Sequence, residues 1–293
     1  MKKVLVIVGP TAIGKTSLSI KLAQKYNGEI ISGDSIQVYK GLDIGSGKIT
    51  DAEKQNIIHH GIDILDADES FSVADFQKNC RSYIDNIVSK NKLAIICGGT
   101  GLYIKAALYD YVFNEQEVFD YSEYESLSNE YMYDQLKILD LKSLDKIHVN
   151  NRQRLIRAYA LALNDTTKSS IIDKQEHKPI YDIYIVGLTT DRAIVHDRIN
   201  TRVDMMFDDG LNDEITKLLD SGITFSNQSM QGIGYKEFGL YNDIDIIKDK
   251  IKTNSRRFAK KQYTWFKNQM NVNWFDINKL DDVFIEVDKW INT

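Results

Sequence analysis

Residues 9 to 16, Gly-Pro-Thr-Ala-Ile-Gly-Lys-Thr, follow the pattern G-x-x-x-x-G-K-[ST], and these residue types at this spacing are suited to holding a chain of phosphates. Glycines at both ends let the backbone curl so that N–H groups and the start of the next helix face an anion; Lys15 adds a point charge, and the Thr16 hydroxyl can ligate Mg²⁺. The pattern implies a di- or triphosphate without saying which. A P-loop NTPase takes a further metal partner from an apolar strand ending in Asp, but here the apolar run 93–97 ends in Gly98-Gly99-Thr100-Gly101. The acid stands elsewhere, as Asp34 in Ile31-Ser32-Gly33-Asp34-Ser35. A carboxylate beside a phosphate site serves as a metal ligand or a general base. The plainer reading of Asp34 is a turn or helix cap, and of Thr100 a turn residue bonded to its own backbone.

These residues need strands and helices to aim them. Val4 to Val8 is an unbroken aliphatic run, the mark of a strand buried on both faces, and Leu18, Leu22, Ala23 and Tyr26 recur at helical spacing over 17–26. The glycine-rich loop therefore joins strand to helix. Runs at 29–32, 92–97 and 181–187 read as further buried strands, 73–89 as a helix, and the residues after 187 as mainly helical. Such alternation predicts an α/β fold, a P-loop-type open parallel sheet flanked by helices, with ligands at the C-terminal sheet edge. Residues 110–145 break the pattern with ten acids against two lysines and no buried-strand run. A helical insertion domain is placed at 113–172, between core segments 1–112 and 173–293; 293 residues suffice for about two domains.

With 43% apolar and 27% charged residues and two prolines, the disordered and collagen-like classes are excluded. Cys80 and Cys97 have no CxxC spacing, which points to small core residues rather than a disulfide framework or zinc site. The adjacent His59 and His60 point apart on any regular element and read as packing or capping. No run approaches the roughly 20 apolar residues of a membrane helix, and the apolar run after Met1-Lys2-Lys3 is too short for a signal sequence. A cytoplasmic monomer is expected. The formal charge of −5 argues against a wholly basic nucleic-acid coat but leaves room for a basic face. On a helix through 255–270, Arg256, Lys260, Thr264 and Lys267 share one side and Ala259, Tyr263, Phe266 and Met270 another. That stripe is either a phosphate-binding surface or a solvated face. Arg152, Arg154 and Arg157 form a second basic cluster, and Arg198 and Arg202, four apart, share a helix side.

Taken in order, several segments resemble the tRNA dimethylallyltransferases (tRNA isopentenyltransferases, the IPP transferase family). They are the P-loop at 9–16, Asp-Ser-Ile-Gln-Val-Tyr-Lys-Gly-Leu-Asp-Ile-Gly at 34–45, His-His-Gly-Ile-Asp at 59–63, Phe-Ser-Val-Ala-Asp-Phe at 71–76 and Gly-Gly-Thr-Gly-Leu-Tyr at 98–103. Asn-Arg-Gln-Arg-Leu-Ile-Arg-Ala at 151–158, Asp-Arg-Ile-Asn-Thr-Arg-Val-Asp-Met-Met at 197–206, Gly-Ile-Gly-Tyr-Lys-Glu at 232–237 and Lys-Lys-Gln-Tyr-Thr-Trp-Phe-Lys at 260–267 continue the set.

The resemblance implies transfer of a dimethylallyl group from dimethylallyl diphosphate to the exocyclic amine of the adenine 3′ of a tRNA anticodon. Gly9, Pro10, Thr11, Ala12, Ile13, Gly14, Lys15 and Thr16 would then hold the diphosphate, with Mg²⁺ at Thr16 and Arg202 on the same group. Asp34 would take the amine proton, with Thr100 between diphosphate and amine; Arg198 is expected to be a surface arginine paired with Asp197 or Asp204. An adenine must leave the stack to reach Asp34, so Asp34, Ser35, Ile36, Gln37 and Thr100 would border its channel, between core and insertion. Facing the anticodon stem-loop by resemblance are Gln153, Arg154, Leu155, Ile156 and Arg157, and Gln231, Gly232, Ile233, Gly234, Tyr235 and Lys236. So are Lys260, Lys261, Gln262, Tyr263, Thr264, Trp265, Phe266 and Lys267. Tyr39 and Trp265 are base-stacking candidates or core residues. The chain departs from the family at Ile13, where Ser is usual, at Ile49, where Pro is usual, and in a short acidic 114–130 region. Alternatives that stay open are an adenylate isopentenyltransferase acting on free nucleotide, a P-loop small-metabolite kinase, and a non-catalytic RNA-binding protein.

Overall fold

The computed structural model describes residues 1–111, 113, 121–164 and 178–293. They divide into two compact units, Met1–Tyr109 with Pro179–Thr293, and Asp110–Lys178. The expected domain break at 112/113 touches residue 112, and that at 172/173 lies wholly outside the described residues, as does 114–120 of the acidic stretch.

The first unit is built on six parallel strands in the order β3-β2-β4-β1-β5-β6. These are β1 (Lys3–Val8), β2 (Gly28–Gly33), β3 (His59–His60), β4 (Leu93–Gly98), β5 (Asp182–Thr189) and β6 (Asn273–Asp276). β1 lies between β4, with Ile7 opposite Cys97, and β5, with Val8 opposite Gly187, and Val4 to Val8 are fully buried. That two-sided burial is why the run is unbroken and aliphatic. Helices α1 (Lys15–Lys25), α2 (Asp51–Lys54), α3 (Val73–Ser89) and α4 (Gly101–Leu108) come from the N-terminal segment. The α/β parallel-sheet architecture read from the sequence is the one observed. The reading missed β3 and β6, both on sheet edges, because two residues carry no periodicity and Asn-Trp-Phe-Asp is not an apolar run.

The second unit holds α5 (Asn129–Leu139) and α6 (Arg152–Leu163). Met132, Leu136, Ile147, Leu155, Ile156 and Tyr159 make its core. Among the described residues no helix is long and apolar enough to cross a membrane.

After β5 come α7 (Arg192–Asp208), α8 (Leu211–Asp220), α9 (Ile244–Gln269) and, after β6, α10 (Leu280–Ile291). On α9, Ala259, Gln262 and Phe266 are buried while Lys260, Lys261, Thr264 and Lys267 are exposed, so the amphipathic split predicted for this helix is present. Phe266, fully buried in the main core, cannot present its ring to an RNA. Phe266→Ala is expected to cost about 3–5 kcal/mol of unfolding free energy by urea denaturation. Lys267→Ala one residue on should stay within about 0.5 kcal/mol. A Phe266→Ala protein as stable as wild type would put that ring back on the surface.

Candidate active site

The chain leaves β1 at Val8, turns through Gly9, and enters α1 at Lys15 after Gly14, whose φ of 103° a side chain would strain. Thr16 lies exposed in the first helical turn. Ile13 points the other way, 1% exposed in the core between sheet and α1, so the change from Ser to Ile at this position removes no group from the loop's outer side. Lys15 donates from Nζ to the Pro10 carbonyl at 2.9 Å. Burial pulls its ammonium down to about 8; Arg202 pushes the same way, while Cys97 and Asp34 oppose.

Arg202, from α7, reaches across to the loop, with Nη1 donating to Thr11 Oγ1 at 3.0 Å and Nη2 to the Ser46 carbonyl at 3.2 Å. Gly47 makes room for it: a Cβ there would sit 1.6 Å from Nη2. Burial lowers the Arg202 pKa, opposed by the nearby Asp34 charge. Arg198, one turn earlier, donates to the Ile13 carbonyl at 3.3 Å. Arg198 is exposed, as expected, but its pairing with Asp197 or Asp204 is corrected, since Asp204 is held instead by Lys248 at 2.8 Å and Lys252 at 2.7 Å.

Asp34 follows β2 at the C-terminal sheet edge. Its Oδ1 accepts from the backbone N–H of Ile36 at 2.8 Å and Gln37 at 3.4 Å, so the turn-cap reading is realised. The cap uses one oxygen only, and Oδ2 has no hydrogen bond among the described residues. Thr100 opens α4 as its N-cap residue with no side-chain cap bond, and its hydroxyl is uncommitted among the described residues. Asp34, Thr100, Thr11 and Arg202 line one cavity of about 590 Å³, within the usual range for small-ligand sites. Ser35, Ile36, Gln231, Gly232, Ile233, Lys236 and Lys261 also border it.

Sequence reading missed Tyr103, Asn254, Arg257 and Phe258 in the same wall, and the apolar patch of Ile199, Val203, Met206 and Ile251. Arg257 was findable, because it lies four residues before Lys261 and shares its helix side. The Tyr103 hydroxyl donates to the Phe71 carbonyl at 3.1 Å, and burial pushes its pKa to about 12.

Other side chains expected to face RNA have inward roles. The Gln37 amide bonds the Gly47 carbonyl at 3.3 Å and the Ser32 hydroxyl at 3.1 Å. Tyr235 is fully buried; its hydroxyl donates to Glu214 at 2.7 Å and accepts from the Ser46 N–H at 3.0 Å. Glu214 also accepts from the N–H groups of Asp43, Ile44 and Gly45 at 3.0, 2.7 and 3.1 Å. This carboxylate thereby pins the loop that supplies the Ser46 carbonyl to Arg202. Gly234 turns back so that its N–H meets Glu237 at 2.9 Å. Leu155 and Ile156 are in the core of the second unit, while Gln153, Arg154 and Arg157 are exposed there.

On α9, Gln262 is buried, Tyr263 is half-buried with its ring 4.7 Å from that of Trp274, and Arg256 donates to Asn200 at 2.6 Å. Trp265 covers Gly101, where a Cβ would meet its ring at 2.1 Å. Tyr39 is fully buried; of its two readings the core one holds. His59 bonds the Ile57 carbonyl at 2.9 Å and His60 bonds Glu29 at 2.7 Å, which is packing and pairing. Ile49, at the usual proline position, packs in the core. Cys80 and Cys97 are free thiols whose pKa values burial raises, Cys80 to about 12.

The IPP transferase model matches residues 37–269. This chain belongs to the IPP transferase family. The tRNA dimethylallyltransferase of Bacillus cereus is 47% identical over 287 residues, covering 94% of this chain and 90% of that one. The one from Anoxybacillus flavithermus is 46% identical over 292 residues, covering 97% and 93%. Among solved structures, a Staphylococcus epidermidis tRNA delta(2)-isopentenylpyrophosphate transferase is 41% identical at a TM-score of 0.74 over 99% of both chains. A eukaryotic dimethylallyltransferase acting on tRNA is 28% identical at a TM-score of 0.84, covering 96% of this chain and 76% of that one.

The lowered Lys15 pKa has a measurable consequence in this family member. Below about pH 8 the ammonium is charged and attracts an anion; above it, binding must also capture a proton. Diphosphate affinity of wild type, measured by calorimetry and divided by that of Lys15→Arg at each pH, should fall as pH rises through 8. The limiting slope is about tenfold per pH unit. A ratio flat from pH 7 to 9 would mean that Lys15 titrates elsewhere.

Proposed function

We infer that this chain transfers the dimethylallyl group of dimethylallyl diphosphate to the exocyclic amine of an adenosine in tRNA, next to the anticodon on its 3′ side, acting as a single chain. The observation that carries this reading is the pairing inside one cavity of a carboxylate oxygen, on Asp34, and a hydroxyl, on Thr100, both uncommitted among the described residues. Both lie beside the Thr11 and Arg202 edge of the P-loop.

The chemistry follows from the two reactants. An adenine amine is a weak nucleophile because its lone pair is drawn into the ring, so a placed base takes its proton as the new C–N bond forms. Asp34 Oδ2 is that base, and Thr100 Oγ1 orients the amine by a hydrogen bond. The allylic C–O bond breaks with its electron pair leaving on the diphosphate, and the lowering of the barrier comes chiefly from cations and N–H groups aimed at that leaving group. Lys15, Arg202 and the loop amides supply them. Ile199, Val203 and Met206 offer an apolar wall for the five-carbon group. Mg²⁺ fits this donor set. The ion commonly takes one or two protein oxygens and completes its shell with phosphates and water, and Thr16 Oγ1 is exposed and unbonded among the described residues. When bound there it would neutralise charge on the diphosphate.

Arg257 and Lys261 at the cavity, and Lys260 and Lys267 along α9, are the proposed contacts to the anticodon stem-loop. Gln153, Arg154 and Arg157 of the second unit are proposed to do the same. A free-nucleotide prenyltransferase or a metabolite kinase has no use for that basic surface.

Asp34→Asn separates base from turn cap, since the amide oxygen still accepts from Ile36. Transfer to unmodified tRNA, followed by mass spectrometry for an adenosine heavier by one five-carbon unit, should drop about 10²- to 10⁴-fold. The tRNA affinity should be kept, and undiminished transfer would remove Asp34 from the mechanism. Lys267→Ala should weaken tRNA binding and lower its salt slope by about one, leaving diphosphate binding unchanged. An unaltered salt slope returns α9 to a plain solvated face.

A further inference from the structure

The Gln262 side chain is 6% exposed and has both ends of its amide engaged. Its Oε1 accepts from the Thr11 N–H at 2.9 Å, and its Nε2 donates to the Gly99 carbonyl at 3.2 Å. The orientation of the amide is set by its partners, because an N–H can only meet the oxygen and a carbonyl only the nitrogen. Gly99 has no side chain in the way; a Cβ there would lie 2.1 Å from Nε2.

The two partners belong to different halves of the site. Thr11 is the P-loop residue whose hydroxyl takes the Arg202 hydrogen bond. Gly99 immediately precedes Thr100, which lines the cavity and whose hydroxyl orients the amine in the proposed reaction. One rigid amide therefore spans the loop that grips the leaving group and the turn that carries Thr100, and it does so from α9. We propose that Gln262 is a positioning residue for prenyl transfer: it sets the separation of donor and acceptor groups and touches neither substrate. The proposal rests on the prenyl-transfer reading above and gives a specific task to a buried polar residue that the direct chemistry leaves unused.

Two variants test it. Gln262→Met keeps the volume and removes both bonds. Steady-state kinetics with dimethylallyl diphosphate and tRNA should show kcat reduced about 10- to 100-fold, the penalty of a misplaced reacting group. The KM values should change less than kcat, and the tRNA Kd should hold within about threefold. Gln262→Glu keeps the shape and carries a proton-dependent donor. Ionised, it sets a negative charge against the Gly99 carbonyl; protonated, it accepts from Thr11 and donates to Gly99 as the amide does. The ratio of its kcat to that of wild type should therefore climb as pH is lowered from 8 to 6, a recovery that a merely structural defect does not give.

Unchanged kcat in both variants, a flat pH ratio for Gln262→Glu, or a tRNA Kd that weakens while kcat holds would each overturn the positioning role. Wild-type protein that transfers nothing to tRNA would instead overturn the functional reading itself, so the two failures are told apart by the control.

Discussion

Two cations, the Lys15 ammonium and the Arg202 guanidinium, are both desolvated and near enough to repel one another, with no ion pair to either among the described residues. Such an arrangement is unfavourable by itself: burial penalises both charges and they repel one another. An anion with two or more charges removes that penalty when it binds, and a leaving group that gains charge during the reaction removes more of it. Such a pair suits a polyanion such as the proposed diphosphate leaving group, and much of the surrounding first unit keeps these two cations from escaping to water or collapsing onto a carboxylate.

Three devices do this, each a buried polar group bonded to more than one partner. Glu214 gathers three backbone N–H groups and the Tyr235 hydroxyl, fixing the 43–46 loop whose Ser46 carbonyl receives Arg202. Lys48 bonds the Tyr39 carbonyl at 2.8 Å and pairs with Asp43 and Asp63, each at 2.5 Å, closing the base of the same loop. Gln262 joins the P-loop to the Thr100 turn. A satisfied buried network rigidifies, whereas the same groups left half-paired would loosen the pocket at a cost of kilocalories.

Several segments that carry the family resemblance turn out to be scaffold. In 71–76, Ser72 and Asp75 make a reciprocal cap at the start of α3, and Phe71 and Phe76 fill the core beneath it. In 232–237, Tyr235 and Glu237 face inward and only Gly232, Ile233 and Lys236 reach the cavity. Segments that carry the resemblance therefore mix cavity-lining residues with packing, and only the observed orientation of each side chain separates the two.

What the sequence by itself determined was local. A glycine-rich loop between a doubly buried strand and a helix, the parallel α/β class, the acid at Asp34 and the split faces of α9 were all legible. Each depends on hydrogen-bond patterns or hydrophobic periodicity among residues near one another in the chain. Tertiary structure alone decided which oxygen of Asp34 stays uncommitted among the described residues, that Arg198 bonds the loop rather than an acid, that Tyr235 is buried, and that Gln262 and Phe266 turn inward beside the exposed Lys261 and Lys267. It also brought Arg257 and Tyr103 to the cavity and formed β3 and β6 on the sheet edges. Those outcomes depend on contacts between segments up to 251 residues apart, as from Thr11 to Gln262. Periodicity can say that one side of a helix is buried, but it carries no information about which distant group that side will meet.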